Sequence, residues 1–114
     1  MEEPTMSVSF VRLIFEHGFD ERTAFEAEQR GLLTGVWVEL SDGSRHEVSF
    51  FDSVRLEQEL AELTRQGRPF FHEPGLIVLA AVTLENMELA ARTLAHERGF
   101  ARRSFPHVPE PVST

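Results

Sequence analysis

The clearest pattern of hydrophobic and polar positions lies between Gly35 and Phe51, where the two alternate with the period of a β-strand. Val36, Val38 and Leu40 share one side of a first strand, and Val48 and Phe50 share one side of a second. Asp42-Gly43 between them invites a two-residue turn, but that register sets Val38 opposite Glu47 and Leu40 opposite Arg45, mixing apolar and charged side chains on one face. A loop of Ser41-Asp42-Gly43, with Gly43 in the left-handed conformation, removes the conflict. Val36 then faces Val48 and Val38 faces His46, while Trp37 faces Glu47 and Glu39 faces Arg45 on the other side. This reading predicts a hairpin with one greasy and one charged face.

Other segments follow by period and punctuation. Ser7 to Glu16 is rich in β-branched and aromatic residues with apolar side chains on both alternating sets, as expected of a strand covered on both faces. A short helix is the competing reading; residue content favours the strand. Asp20 is placed to cap a helix through Arg30, with Gly31 ending it and Glu26–Arg30 as a supporting pair. Its apolar stripe is thin: Ala24, Phe25 and Ala27.

Asp52 is a second cap, with Phe51 and Leu56 spaced as a hydrophobic staple and Leu56, Leu60 and Leu63 on one stripe. Gly67 and Pro69 stop that helix. Glu73-Pro74-Gly75 carries type II turn chemistry, with Pro at the second position and Gly at the third. Leu76 to Val82 reads as a fully buried strand. Thr83 caps the last helix, whose inner stripe is Leu84, Met87, Ala91 and Leu94, and Gly99 ends it. Residues 101–114 hold three prolines and little to bury, which predicts a flexible C-terminal tail after a single domain over residues 1–100.

The predicted order is β-α-β-β-α-β-α. It implies an α+β two-layer sandwich, ferredoxin-like or related, with a mostly antiparallel sheet and helices on one face. One conflict stands out. In a ferredoxin-like sheet the last strand lies at the edge, yet here it is the most hydrophobic strand, and an apolar edge invites pairing. A covering helix, a second subunit or a different strand order would each resolve it.

Composition then narrows the chemistry. The chain has 114 residues, no Cys, no Lys and no Tyr, and a net charge of −8. These absences remove thiolate nucleophiles, Schiff-base lysines and Cys-ligated metals together. All 11 basic residues are Arg, a bias read as that of a GC-rich, bacterial genome. The acidic surface opposes phosphate backbones, so no nucleic-acid partner is expected. Met1-Glu2-Glu3-Pro4 lacks the positive start of a signal peptide, and no apolar run approaches the roughly 20 residues of a membrane span; a cytoplasmic location without membrane contact is expected.

Three His-Glu dipeptides occur at His46, His72 and His96, but the positions four residues after each His hold Phe50, Leu76 and Phe100, so the zinc-protease motif is missing each time. Those three imidazoles converging in space is the remaining route to a metal site. No cofactor motif is present. His46, set on the apolar face near the sheet rim, is the one candidate catalytic base. Trp37, with Glu39, Arg45 and Glu47, is the candidate interaction face, because an aromatic among charges on an open sheet anchors partners.

The function expected from these features is a non-enzymatic protein-interaction or regulatory module. It binds a protein partner or self-associates as a homodimer, and a narrower version neutralises a basic partner as an immunity protein or antitoxin does. The alternative is a small cavity enzyme that uses His46 on a small organic molecule. It requires an enclosed pocket lined by Phe.

Overall fold

The computed structural model describes residues 8–97, 99 and 100. Seven elements run β1 (Phe10–Phe15), α1 (Glu21–Arg30), β2 (Leu32–Leu40), β3 (Arg45–Asp52), α2 (Ser53–Arg65), β4 (Leu76–Leu79) and α3 (Leu84–His96). This is the expected order and class. Ser7 and the expected tail, residues 101–114, lie outside the described residues.

The four strands form one mixed sheet in the order β1-β2-β3-β4. The first two pairings are antiparallel and β3–β4 is parallel. In a split, ferredoxin-like sheet another strand separates the parallel pair of each βαβ unit. Here β3 and β4 are direct neighbours joined through α2, so the fold is a related sandwich with sequential strand order. The parallel pair needs a long crossover, and α2 supplies it.

The hairpin follows the expected register: Val36 opposite Val48, Trp37 opposite Glu47, Val38 opposite His46 and Glu39 opposite Arg45. Leu40 N–H donates to Ser44 C=O at 3.0 Å, closing the loop over Ser41-Asp42-Gly43, and Gly43 sits at φ +88°. Asp42 holds the loop from inside by accepting from both Ser44 N–H (2.9 Å) and Ser44 Oγ (2.6 Å).

Beyond Val36 the register shifts, so that Leu33 faces Phe50 and Leu32 faces Phe51. The extra residue on β2 is a bulge at Thr34-Gly35, with Gly35 at φ +71°. It has a clear effect on sorting. Without it exposed Thr34 would enter the core opposite Phe50; with it Leu33 does.

The core lies on the Val36 side of the sheet. Val36, Val38, Leu40, Val48 and Phe50 are buried there with Ala27 of α1, Leu79 of β4, Val82, and Met87, Ala91 and Ala95 of α3. Phe10, Leu13, Phe15, Leu33 and Ile77 pack around them from the same face. Helices α1 and α3 thus close this face, while α2 adds no buried residue to the cluster.

The caps are those expected. Asp20 accepts from Thr23 N–H, Asp52 from Arg55 N–H, and Thr83 Oγ1 from Asn86 N–H. Gly31 ends α1 in the left-handed conformation. Helix α2 ends in a Schellman arrangement, with Arg68 N–H on Leu63 C=O and Gly67 N–H on Thr64 C=O. Glu73-Pro74-Gly75 makes its turn, closed by Leu76 N–H to Glu73 C=O at 3.2 Å with Gly75 at φ +74°.

Several expectations are corrected. Residues 76–82 are not a fully buried strand: β4 stops at Leu79, and Val78 is 49% exposed because β4 borders the sheet. β1 is the opposite border and is not covered on both faces: Val11, the extra residue where its register with β2 shifts, and Arg12 are exposed. The supporting pair on α1 is Arg22–Glu26 at 3.3 Å rather than Glu26–Arg30, and Phe25 points to solvent. On α3 Met87, Ala91 and Leu94 face the core as expected and Ala95 joins them, while Leu84 lies at the exposed margin.

Candidate functional site

Two places on the sheet combine exposure with chemistry, and the alternation of the hairpin builds both. The first is the face opposite the core. Beyond the bulge, odd-numbered residues of β2 and those of β3 point there, so Trp37, Glu39, Arg45 and Glu47 stand together. β1 adds Arg12 opposite Glu39 and Ile14 opposite Trp37. Glu39 pairs with Arg12 at 2.7 Å, across β1–β2, rather than with Arg45, its cross-strand neighbour in the hairpin.

Coverage of this face is uneven. Over the C-terminal half of β3 it is closed: Phe51 is buried with Phe71 packed edge-on at 5.4 Å, and buried Ser49 donates from Oγ to Glu73 at 3.0 Å. The sequence signal of the Phe70-Phe71 pair splits here, because Phe71 goes inward while Phe70 stays exposed beneath Arg68. Towards β1 the face is open. Trp37 and Ile14 are half-buried, and Arg12, Arg45 and Glu47 are exposed.

The second place is a notch at the start of β3. β3 begins at Arg45, but β4 first aligns with it at Ser49 opposite Leu76. An open cleft of about 780 Å³ results, lined by Arg45, His46, Glu47 and Val48 of β3, Gly75 to Ile77, and Leu94, Gly99 and Phe100. It is not the enclosed, Phe-lined cavity of the enzyme alternative; among the described residues Phe100 is the one Phe in its wall.

His46 lies at this rim, half-buried and stacked on Phe100 at 5.4 Å. Its Nε2 is 3.0 Å from Ser44 Oγ, which in turn is 2.6 Å from Asp42 Oδ1. The hydroxyl has one proton, and an ionised carboxylate only accepts. Ser44 therefore donates to Asp42, and the imidazole donates from Nε2 to Ser44. This polarity is the reverse of nucleophile activation, where the imidazole takes the serine proton. The carboxyl of Asp42 is held below its ordinary range by the Ser44 hydroxyl and N–H, with a smaller contribution from the charge of His46.

His72 lies in the loop before Glu73 and His96 on the exposed end of α3. Among the described residues, no group of three or more His, Cys, Asp or Glu side chains is placed to hold a metal ion. No helix among them is long and apolar enough to cross a membrane. The sequence reading missed the notch, since it depends on where β4 starts relative to β3. The early Gly75 turn is the signal that could have shown it.

Family models, curated proteins and solved structures offer no match to this chain.

Proposed function

We propose that this chain is a small non-enzymatic interaction module that binds a protein partner through the open sheet face centred on Trp37. The observation that carries the reading is Trp37 itself: a half-buried indole on a face that the core helices leave uncovered, ringed by Arg12, Glu39, Arg45 and Glu47. Such a residue offers a large rigid apolar surface, and Trp and Arg are the types most enriched among interface anchors. The net charge of −8 favours a basic partner and a fast encounter with it, as neutralising a basic protein requires. The reversed polarity of the Asp42–Ser44–His46 chain and the open form of the cleft weigh against the catalytic alternative.

The test is comparative affinity capture from native lysate, with size-exclusion chromatography and light scattering on the purified protein. Wild type is expected to retain a specific basic partner that Trp37→Ala loses while it remains folded, with a stability loss below about 1.5 kcal/mol. Equal capture by both proteins would refute the reading.

A further inference from the structure

From the notch beside β3, we infer that this molecule accepts an extended peptide segment of its partner as an added β-strand, and that the segment carries a basic–apolar–acidic alternation. The inference rests on the interaction reading above but uses the main-chain edge of β3, and it shares the Arg45 and Glu47 side chains with the Trp37 face.

The backbone directions in β3 follow from its two ladders. Leu40 and Ser44 are joined by a hydrogen bond across the hairpin, so even-numbered residues of β3 turn their N–H and C=O groups to β2. Ser49 N–H donates to Gly75 C=O at 3.0 Å, which puts the odd-numbered residues on the β4 side. Arg45 and Glu47 therefore aim their main-chain groups at the notch, where β4 has no residue aligned with either. Gly75 stands against Glu47 C=O, so closely that a Cβ there would collide with it. Three rungs face the cleft: both main-chain groups of Arg45, and Glu47 N–H.

A row of main-chain donors and acceptors at strand spacing is complementary to another main chain, the basis of strand addition. Three residues of β3 span about 10 Å at strand rise, a stretch that a short extended segment matches. Antiparallel addition is the more stable geometry per residue. Side chains directly opposite each other on neighbouring strands share a face. The incoming residue opposite Glu47 is then basic and the one opposite Arg45 is acidic. The residue between them turns to the core side, towards Ile77, Leu94 and Phe100. In the antiparallel sense the segment reads Arg–apolar–Glu from its N-terminus.

The experiment uses the full chain and a synthetic peptide, Arg-Val-Glu-Thr-Thr-amide, whose N-terminal Arg ends the segment opposite Glu47 short of Gly75, followed by amide chemical-shift changes. The peptide is expected to shift Arg45, Glu47 and Leu76. N-methylation of its Glu removes the donor to Arg45 C=O and is expected to weaken binding about tenfold. Glu47→Arg, an exposed change that leaves the fold intact, is expected to reject this peptide and to bind the version with Glu in place of Arg. No shift at millimolar peptide, or binding indifferent to N-methylation, overturns the proposal. So does exchange protection of the Arg45 and Glu47 amides without peptide. Protection that grows with concentration would assign the notch to a second copy; protection at every dilution would assign it to the chain's own residues. Failure here with Trp37-dependent capture intact removes the strand-addition site and leaves the interaction reading standing.

Discussion

Single residues decide where this backbone turns, and glycines that share a positive φ are not equal in consequence. Gly43 at φ +88° closes the hairpin over open space, with no heavy atom near where a Cβ would sit. Gly75 at φ +74° lies against the backbone of Glu47 and Val48. Gly43→Ala is therefore expected to cost about 1 kcal/mol, the strain of a left-handed Ala alone. Gly75→Ala adds a clash with main chain and is expected to cost at least about 2 kcal/mol. Urea unfolding of both variants checks the order, and equal losses would contradict it.

Asp42 is the residue whose ionisation the hairpin feels. Its pKa is lowered by the Ser44 hydroxyl, then by the Ser44 N–H. A carboxyl depressed in the folded state stabilises it above the unfolded pKa, and that contribution fades as pH falls through the folded pKa. A carbon-detected NMR titration is expected to place the Asp42 midpoint below the ordinary value of an aspartate side chain. Asp42→Asn is expected to flatten the acid dependence of the Ser44 and His46 amide shifts.

At the scale of elements, the sequence was most legible where two independent signals met. The hairpin register followed from Val38 and Leu40 having to avoid Glu47 and Arg45, together with a Gly able to take φ > 0. The three caps were equally readable, because Asp20, Asp52 and Thr83 each precede an apolar stripe. Asp52→Ala is expected to destabilise the protein by about 1 kcal/mol, read as a lower urea midpoint at unchanged slope.

Legibility failed at the sheet borders. Hydrophobic content alone does not tell a central strand from an edge, so β4 and β1 read as buried on both faces when each has one uncovered neighbour position. The bulge at Thr34-Gly35 was also hidden, since its reason is the need to bring Leu33 against Phe50. On α3 the stripe was read correctly at Met87, Ala91 and Leu94 and failed only at its first residue, Leu84. Met87→Ala, at a position with no exposure, is expected to cost about 2–5 kcal/mol. Leu89→Ala, 59% exposed, is expected to stay within about 0.5 kcal/mol. Thermal unfolding of the pair tests which side of α3 faces the sheet.

For the whole molecule, the decisive feature is asymmetry between the two faces of one sheet. Helices α1 and α3 seal one face; the other is closed over the C-terminal half of β3 by Phe71 and Glu73 and open from the start of β3 to β1. Which side chains occupy the open part was readable from the hairpin alone. That nothing among the described core helices covers them was not, because covering depends on the strand order and on where α2 and the Phe71 loop come to rest. Trp37→Ala is expected to change stability by less than about 1.5 kcal/mol, below the cost of truncating a buried aromatic, while abolishing partner capture.

Trp37 is the one tryptophan in the chain, so its fluorescence reports this face and nothing else. Acrylamide quenching of the dilute native protein, referenced to the same protein in urea, measures the openness directly. Quenching at a substantial fraction of the unfolded rate is the predicted result. An indole as shielded as a core residue would contradict the account.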